Sequence, residues 1–523
     1  MKRQLAVVMS ALTVCSIFVG CASPSTTKSS GSSISTSTGE SSEDSKATSN
    51  GETSMSEERP TVTWYAVNME TDSADRISKA GTKLLNDAGI DVNFEIKWLG
   101  WDNYDQTISN MITSGEEFDL FNKDISTIDS YALNNGIYEI TDDDLKQYLP
   151  DVVDAMGDSI VNGCRYNGHL YAVPVAHEFA QWLGVYYNEG IAQKYGIDMS
   201  TVKSIDDLDQ IFFTLHAAAP DIYCLDPYNS ENILMVMADI DPINRNDKLG
   251  LAMDLSDSDG NVFNQWESDK VRSALIKLKE WNDAGYLFTD TTADGVSMFQ
   301  KDGQIFCHIA RMKPGTVEQY STAGQTFKNV LFTEKGIQTF CDFPGGWGVA
   351  VSGTSDNPTA AMQVVNFAYS SADFINLLTF GEEGVDYDLS SDNIVSIHDT
   401  GYGADEYSGA SWQMGNQYLN YITDAQVAAG ESDIWNRLKE FNDTAIPQKH
   451  TGFYFDTSNY SAEITAVTNT NVEYGHALIT GEVDDVDAAL KEFNENLKAN
   501  GMDTLVGAAN EQYKEFLAAK GNK

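Results

Sequence analysis

The chain has 523 residues, 42% of them hydrophobic, which is ample for large cores in more than one domain. Its formal charge of −45 comes from 78 acidic residues against 33 basic ones, and this acidity disfavours nucleic acid as a partner. The acidic residues are spread along the whole chain, as on a solvated surface. These properties indicate a soluble globular protein.

The first twenty residues have the features of a secretory signal peptide. Two basic residues precede an apolar run at 5–19 that is too short to span a bilayer. Residues 18–21 (FVGC) resemble the bacterial lipobox, in which the cysteine is acylated with lipids such as palmitate and becomes the mature N-terminus. Phe18 stands where leucine is usual, so ordinary signal cleavage is the alternative to lipidation of Cys21.

A tether is predicted between the signal peptide (1–20) and the folded body. Residues 21–58 begin with the lipidated Cys21 and then consist mainly of Ser, Thr, Gly and Glu, a composition that cannot bury enough apolar surface to fold. Removing the signal peptide takes away two positive charges, so the formal charge changes from −45 to −47. The lipid would hold the body near a membrane, outside the cytoplasm.

The body begins with the pattern of an open α/β sheet. Residues 61–69 (TVTWYAVNM) are a predicted strand, and a helix ending near Gly89 follows. Residues 91–99 alternate apolar and polar side chains, so the segment is a β-α-β unit. A helix at 104–114 leads to a third strand at 118–122. Ligands bind outside the carboxyl ends of such strands. The residues at those ends are Asn68, Trp101, Asn122 and Asp124.

Residues 166–188 (YNGHLYAVPVAHEFAQWLGVYYN) are interpreted as the first crossing between two lobes. Pro174 prevents a continuous buried ladder, so one sheet ends there and another begins near residue 185. Glu178 and Trp182 lie between the two strands. Alternation places Leu183 on the core face and Trp182 on the opposite face, with Gly184 leaving room beside the ring. Trp182 is therefore expected to be a stacking platform in the cleft.

The remaining elements are predicted from helix caps, turn residues and apolar periodicity. They are capping boxes at Thr141/Asp144 and Ser204/Asp207, a hairpin at 259–260, helices at 268–284 and from Pro358 to about residue 369, and a strand at 304–310. The strand at 304–310 is interpreted as the return crossing. The two crossings divide the body into lobe 1, at 59–174 plus 309–375, and lobe 2, at 175–308 plus parts of 376–523 with a helical C-terminal region.

Several stretches in a fixed order resemble a known family. They are GHLYAVPVAHE, VYYNEGIAQKYGID, WNDAGYL, FQKDGQIFCHIARMKPG, FPGGWGVAVSGTSDNPTAAMQVVNF and ITGEVDDVDAALKEFNENLKANGMD. With the lipobox, the tether and the β-α-β opening, they resemble the family 1 extracellular solute-binding proteins of bacterial carbohydrate ABC importers. The stretches NLLTFGEEGVDYDLSSDNIVSI and SWQMGNQYL further resemble a lipoprotein subgroup with an enlarged C-terminal region, whose ligands are oligosaccharides.

The resemblance implies a fold class and a function. The expected fold is α/β, a two-lobed periplasmic-binding-protein-like fold of type II, with open α/β sheets joined by a hinge and a helical C-terminal region. The expected function is non-enzymatic: capture of an oligosaccharide in the cleft and its delivery to the permease subunits of an ABC transporter. A monomer without cofactor or metal is expected, lipid-anchored at the extracellular face of the bacterial cell membrane. The alternative is an exported binding protein for a peptide or a charged metabolite.

Motifs for an enzyme and for a calcium site are incomplete. The pair HE at 177–178 begins a zinc-protease motif, but Gln181 stands at the position of the second histidine. A calcium loop at 257–260 (DSDG) would need carboxylates where Leu255 and Trp266 stand. A secreted hydrolase is therefore disfavoured, and a hairpin turn is favoured over calcium.

The residues that favour a sugar ligand are aromatic. A pyranose ring has an apolar C–H face that stacks on Trp or Tyr, and hydroxyls that need polar partners. Trp98 and Trp281 lie among apolar neighbours in a strand and a helix and are expected in the core. Tryptophans beside Gly or Gln in loop-like positions are candidates for ligand contact, with burial in the core as the alternative. They are Trp101, Trp182, Trp347 and Trp412.

The resemblance adds further candidates at the cleft and the crossings. They are Tyr65 and Asn68, which the resemblance places in the loop after the first strand, Asn122 and Asp124, at the end of the third strand, and Glu178 and Arg311. Glu178 and Arg311 lie near the two crossings, where a salt bridge across the hinge is the alternative to ligand binding. The glycines at 345–346 precede Trp347 and would let a ligand approach the backbone.

Four cysteines follow Cys21, and their wide spacing excludes a zinc knuckle. They are Cys164, Cys224, Cys307 and Cys341. In an exported protein they allow three disulfide pairings, and free buried thiols are the alternative.

Overall fold

Four β-sheets with helices packed around them make up the part of the chain that the structure describes. This computed structural model describes residues 59–521 except 69–71, 133–134, 167, 228–232, 246, 258–259, 291–294, 322–324, 340–345, 399–401 and 403–411. The predicted signal peptide, the lipidation site Cys21, the tether and Cys341 lie outside these residues. Within them, no helix combines the length and the apolar character needed to cross a bilayer.

Strands and helices are numbered in chain order. The strands are β1 (Thr61–Val67), β2 (Asn93–Leu99), β3 (Leu120–Asp124), β4 (Ala172–Pro174), β5 (Trp182–Asn188), β6 (Tyr223–Leu225), β7 (Ile240–Pro242), β8 (Leu251–Asp254), β9 (Phe263–Asn264), β10 (Ile305–Met312), β11 (Phe327–Leu331), β12 (Trp347–Val351), β13 (Tyr387–Leu389), β14 (Ile394–Ile397) and β15 (Ile422–Thr423). The helices are α1 (Ala74–Asp87), α2 (Tyr104–Ser114), α3 (Asp129–Ala132), α4 (Asp142–Tyr148), α5 (Pro150–Met156), α6 (Asp158–Gly163), α7 (Glu189–Tyr195), α8 (Leu208–Ala218), α9 (Ile233–Ala238), α10 (Asp269–Asp283), α11 (Gly295–Gln300), α12 (Thr316–Tyr320), α13 (Pro358–Ser370), α14 (Ala372–Phe380), α15 (Asp424–Ala428), α16 (Ile434–Thr444), α17 (Ser461–Ile479), α18 (Val486–Ala499) and α19 (Met502–Gly521).

The first sheet has the order β2-β1-β3-β12-β4, with β1 parallel to β2 and to β3. Alternation in β2 buries Phe94, Ile96 and Trp98 on one face, which confirms the predicted β-α-β unit and the core position of Trp98. Strand β12 is antiparallel to both β3 and β4, so it begins at the edge where the four other strands end. We call this the carboxyl edge of the first sheet.

The second sheet has the order β11-β5-β10-β6, with β5 antiparallel to β10 and β11. The chain leaves the first sheet at Pro174 and enters the second at Trp182, so the predicted first crossing is confirmed. The predicted return at 304–310 is wrong, because this run is β10 and pairs with β5. The chain re-enters the first sheet at β12. Strand β10 is buried on both faces. Such a strand can lie in the middle of either sheet, so its apolar sequence does not show to which of the two sheets it belongs.

Two large cores accompany these sheets. One surrounds the first sheet together with α13 and α14. The other lies on one face of the second sheet and takes in α10 and the C-terminal helices α17 to α19. Trp281 belongs to it, as predicted, and its indole N–H donates to Asp209 at 2.7 Å. A smaller cluster around Phe299 covers the opposite face of the second sheet.

Caps and turns agree with the sequence where they are described. The capping boxes at Thr141/Asp144 and Ser204/Asp207 are present, the second opening a short 3-10 turn. Strands β8 and β9 form the hairpin predicted around 259–260. Because these signals act within a few residues, they survive whatever packs around them.

Cys224 and Cys307 are free, buried thiols, which confirms one of the two alternatives for these two residues, and Cys164 is buried as well. Burial raises the pKa of Cys224 to about 12. The Cys307 thiol donates to the Cys224 carbonyl oxygen at 3.2 Å. Both behave as small core residues rather than as reactive groups.

Candidate functional site

Three tryptophans converge at the carboxyl edge of the first sheet. The ring centroids of Trp101 and Trp412 are 5.4 Å apart, with an interplanar angle of 16°. Trp347 stands nearly perpendicular to both, at 5.6 Å and 79° from Trp101 and at 5.3 Å and 89° from Trp412. Three of the four tryptophans predicted to contact ligand are therefore in contact with one another. We call them the tryptophan cluster.

Each ring of the tryptophan cluster comes from a different part of the chain. Trp101 lies in the turn after β2 and is 50% exposed. Trp347 is the first residue of β12 and lies opposite Asp124, the last residue of β3. Trp412 belongs to the C-terminal part of the chain and is partly buried, like Trp347. The cluster thus presents indole surface to solvent at Trp101 and packs its other two rings against the protein.

Tyr104 supports the cluster from α2. Its ring centroid lies 6.4 Å from that of Trp347. The Tyr104 hydroxyl donates to the Asn122 carbonyl oxygen and accepts from the Asn122 N–H, both at 2.8 Å. Burial raises the pKa of Tyr104, so the hydroxyl stays neutral and able to donate.

Asn122 is not accessible to a ligand. Its side chain is fully buried, and its Oδ1 accepts from the Trp64 indole N–H at 3.0 Å. Its Nδ2 donates to the backbone carbonyl oxygen of Gln413. The predicted ligand contact at Asn122 is therefore wrong. Because β3 is a central strand covered on both faces, this amide instead joins the sheet to the segment that carries Trp412.

Asn68 and Asp124 lie at the carboxyl edge, as predicted. Asn68 follows β1, is buried, and its backbone N–H donates to the Leu99 carbonyl oxygen at 2.9 Å. Asp124 is the carboxylate directly opposite Trp347. Tyr65 lies inside β1 rather than in the loop after it, so the expected loop position is wrong. Its ring packs edge-on against Phe118 at 5.6 Å, and burial raises its pKa.

Glu178 forms an ion pair at the first crossing. One carboxylate oxygen lies 2.5 Å from Nζ of Lys313, and the other lies 3.7 Å from Nδ1 of His177. Burial by itself would raise the pKa of this carboxyl, but the Lys313 ammonium and His177 outweigh it and hold the pKa well below its usual value. Lys313 directly follows β10, so the pair joins the crossing to the second sheet.

Glu178 thus forms a salt bridge with Lys313 rather than with Arg311, which was the expected partner. Arg311 lies within β10, opposite Leu183. Lys313 comes two positions later on the same side of the chain, beyond the end of the strand, and reaches the crossing.

Trp182 packs against α16, with its ring centroid 4.7 Å from that of Phe441. The predicted alternation is confirmed, because Leu183 enters the large core and Trp182 the smaller cluster on the opposite face. Gly184 was expected to leave room beside the Trp182 ring, and this expectation is wrong. A Cβ there would collide with the Val330 carbonyl oxygen of β11, so this glycine permits the close approach of two strands.

Sequence reasoning missed the side chains that tie the C-terminal segment to the crossing. The Tyr418 hydroxyl donates to the His177 carbonyl oxygen at 2.6 Å. Asn442 donates to the same oxygen at 2.9 Å and accepts from the Phe179 N–H at 2.7 Å. Gln413 is bonded to β1. Gln413 and Tyr418 did lie in the SWQMGNQYL stretch, whereas Asn442, in α16, had no sequence signal.

A cavity of about 450 Å³ lies away from these residues, between α4, α5 and α6. Its lining contains none of the candidate residues. It is formed by Asp142, Leu145, Lys146, Pro150, Val153, Asp154, Asp158, Val161, Asn162 and Arg165. Over the described part of the chain, no group of three or more His, Cys, Asp or Glu side chains is arranged to hold a metal ion.

Two family models match the chain. The model described as bacterial extracellular solute-binding protein matches residues 79–380, more than half of the chain. A model described as a domain of unknown function matches residues 449–518, which include α17, α18 and most of α19.

Individual proteins are similar over nearly the whole length. A carbohydrate ABC transporter substrate-binding protein of Streptococcus pneumoniae serotype 4 is 27% identical over 474 residues, covering 89% of this chain and 92% of the relative. The crystal structure of the N-glycan transport solute-binding protein NgtS from S. pneumoniae has a TM-score of 0.74 at 24% identity, covering 88% of this chain and 100% of that one. Its complex with Man5GlcNAc has a TM-score of 0.67 at 24% identity, covering 88% and 99%. These likenesses confirm the two-lobed α/β fold with a helical C-terminal region.

Proposed function

This chain belongs to the family of bacterial extracellular solute-binding proteins, and we propose that it captures an oligosaccharide between its two lobes and delivers it to the permease of an ABC transporter. The observation that carries this proposal is the tryptophan cluster at the carboxyl edge of the first sheet. Ligands of open α/β sheets bind outside that edge. The protein acts by binding and release, without catalysis.

Indole rings suit the apolar C–H faces of sugars, and nearby polar groups suit the hydroxyls. Trp101 offers the exposed ring, and Asp124, opposite Trp347, offers a carboxylate acceptor. The N-glycan transport protein from S. pneumoniae, whose complex contains Man5GlcNAc, supports a sugar ligand for this chain. A sugar therefore fits the cluster better than a peptide.

The charged groups of the protein favour an uncharged oligosaccharide as the ligand. Lys313 is paired with Glu178 at 2.5 Å, and Lys123, at the end of β3, lies 3.3 Å from Asp105. Both cations are thereby neutralised by the protein itself. The formal charge of −45 adds a repulsive field for any anionic glycan.

Three chain segments join the lobes in this proposal. They are residues 175–181, between β4 and β5, the connection from β11 to β12, of which 332–339 and 346 are described, and the stretch from Leu419, which packs on the core of the first sheet, to Phe453, which lies in the core of the second. Lobe 1 comprises the first sheet with its helices, and lobe 2 the second sheet with α10 and α17 to α19. Closure of the lobes around the sugar gives the permease a surface that differs between the empty and the loaded protein.

The anchor and the location are proposed from the sequence. Lipidated Cys21 holds the mature chain at the extracellular face of the cell membrane, and residues 22–58 act as a flexible tether. We propose that the body acts as a monomer, as the resemblance to the solute-binding family implies.

A thermal-shift experiment on the detergent-solubilised full chain tests the proposal. The panel contains Man5GlcNAc, a linear uncharged oligosaccharide, a uronic-acid oligosaccharide and a tetrapeptide. At 100 times its dissociation constant, a ligand adds about 2.7 kcal/mol of stability. We expect this stabilisation from at least one uncharged sugar. Stabilisation by the tetrapeptide alone would overturn the proposal that the ligand is a sugar. Stabilisation by the uronic-acid oligosaccharide would overturn only the proposal that the sugar is uncharged.

Two alanine variants locate the binding surface. Trp101→Ala removes the exposed ring of the cluster and should weaken the sugar response. Phe213→Ala removes another exposed aromatic ring, 62% exposed on α8, and should leave the response unchanged. Equal loss of response in both variants would show that the sugar binds elsewhere.

A further inference from the structure

Gln413 holds the backbone next to Trp412 against the first sheet. Its side-chain oxygen accepts from the Val67 N–H at 3.0 Å, and its side-chain N–H donates to the Val67 carbonyl oxygen at 2.6 Å. The amide thus pairs with both polar backbone groups of the last residue of β1, as a neighbouring strand would. Gln413 is fully buried, so water does not compete for these bonds.

Asn122 fixes the backbone of the same residue. Its Nδ2 donates to the Gln413 carbonyl oxygen, while its Oδ1 is held by the Trp64 indole N–H. Gln413 is therefore bonded to β1 through its side chain and to β3 through its backbone.

The residues that follow tie the segment to the first crossing. The Gly415 carbonyl oxygen accepts from the Ala176 N–H at 2.9 Å, and the Gln417 N–H donates to the Ala176 carbonyl oxygen at 3.1 Å. Gly415 has φ +62°, and a Cβ there would collide with the Ala368 carbonyl oxygen of α13. The backbone after Trp412 is thus fixed at several points.

We propose that Gln413 is a positioning residue, which sets the ring of Trp412 against Trp101 and Trp347 and so completes the stacking surface before a ligand arrives. The inference rests on the proposed function, because a stacking surface serves a ligand with apolar faces. A ring that is ordered in advance spares the ligand the entropy of ordering it. Loss of the Gln413 amide should then act on binding as loss of the Trp412 ring does.

The unliganded protein offers a direct spectroscopic readout of ring position. Indoles in contact at defined angles couple their electronic transitions and give a couplet in the far-ultraviolet circular dichroism spectrum. Trp412→Ala removes one of the three coupled rings. The decrease in couplet amplitude in this variant is the decrease expected when the ring of Trp412 is no longer in place. A change in overall stability alone does not alter the couplet of a folded protein.

The key variant is Gln413→Ala, and Gln512→Ala is its matched control. Gln512 makes the same two bonds to a backbone, accepting from the Asp456 N–H at 2.7 Å and donating to the Asp456 carbonyl oxygen at 3.0 Å. It lies on α19, in the C-terminal helices. We expect Gln413→Ala to lose the couplet and to weaken Man5GlcNAc binding by about 5- to 150-fold, as Trp412→Ala does. Gln512→Ala should retain both signals.

A conservative variant covers the case in which Gln413→Ala does not fold. In Gln413→Glu the protonated side chain keeps one donor and one acceptor toward Val67, whereas the ionised side chain keeps acceptors only. Burial favours the neutral acid. The couplet should therefore be present near about pH 5 and decline toward about pH 8, while that of the unmodified protein stays constant.

The outcomes separate this inference from the proposed function. A couplet that persists in Gln413→Ala, or a lost couplet with unchanged Man5GlcNAc affinity, would overturn the positioning role. A pH-independent couplet in Gln413→Glu would do the same. If the unmodified protein binds no glycan, the proposed function fails, and the couplet still decides whether Gln413 sets the ring.

Discussion

Trp101 and Trp182 have different surroundings, although the sequence assigns both to the ligand. Trp101 is 50% exposed and touches two other indoles, so little core packing depends on it. Trp182 is partly buried and packs on Phe441 of α16. The first ring is placed to serve binding, and the second contributes to the packing between β5 and α16.

Alanine substitution should separate these two roles. Trp182→Ala should lower the free energy of unfolding of the unliganded protein by about 2 kcal/mol, because a partly buried ring loses its contacts. Trp101→Ala should change it by less than about 0.5 kcal/mol and weaken sugar binding by about 5- to 150-fold. Urea denaturation and calorimetric titration measure the two effects. A larger destabilisation in Trp101→Ala than in Trp182→Ala would contradict this assignment.

Glu178 should make the stability of the protein pH-dependent. Its pKa in the folded protein lies well below its ordinary value of 4.5, so the folded state favours the ionised carboxylate more than the unfolded state does. The stabilisation from this group is therefore complete above about pH 5 and declines as the pH falls below about 4.5.

The substitution Glu178→Gln tests this dependence. At pH 7 it should lower the free energy of unfolding by about 1 to 2 kcal/mol, a modest figure because the Lys313 side chain is 36% exposed to solvent screening. The melting curves of the two proteins should approach each other as the pH is lowered from about 7 to about 3. A constant difference across that range would show that the carboxylate of Glu178 does not carry the effect.

At the scale of elements, the C-terminal helices complete the core of the second lobe. Asn471 of α17 accepts from the Trp266 indole N–H at 2.5 Å. Asn510 of α19 accepts from the Val262 N–H at 2.9 Å and donates to its carbonyl oxygen at 2.8 Å. The region matched by the domain of unknown function is therefore part of the large core rather than an independent module.

Two valines on α17 provide a matched test of this role. Val467 is fully buried in the core of the second lobe, whereas Val472 is 59% exposed. Val467→Ala should lower the free energy of unfolding by about 2 kcal/mol, because it removes buried methyl groups and leaves a cavity. Val472→Ala should change it by less than about 0.5 kcal/mol. Equal effects in urea denaturation would show that α17 is not integrated into the core.

At the scale of the whole molecule, the proposed anchor should be separable from the folded body. The proposed lipid site Cys21 and the proposed tether precede residue 59, the first residue that the structure describes. A flexible tether transmits no packing between a lipid and a fold. Anchoring and sugar binding should therefore respond to different substitutions.

Cys21→Ala tests the anchor. The variant should be released from bacterial membranes into the soluble fraction, because the acylated cysteine is its only proposed hold on the lipid. Its affinity for the oligosaccharide that stabilises the unmodified chain should be unchanged. Membrane fractionation with immunodetection measures release, and retention of the variant on membranes would contradict lipidation at this residue.

The local elements and the family follow from the residue pattern alone. The alternation in β2, the capping box at Thr141 and the proline at the start of α13 act within a few residues, so no distant contact overrides them. The core positions of Trp98 and Trp281 followed from the same periodicity. The ordered stretches indicated the solute-binding family, which the family model confirms.

Which side chains meet depends on long-range packing and could not be predicted from the residue pattern. The Val67 N–H and the Gln413 side chain are 346 residues apart in sequence, and Lys313 and Glu178 are 135 apart, so no periodicity links the partners. The burial of Asn122, the placement of β10 in the second sheet and the convergence of three tryptophans depend on the same long-range packing. A polar or aromatic side chain at a strand end can contact either a ligand or a neighbouring segment of the chain. Which of the two it contacts depends on the segment that the fold places beside it.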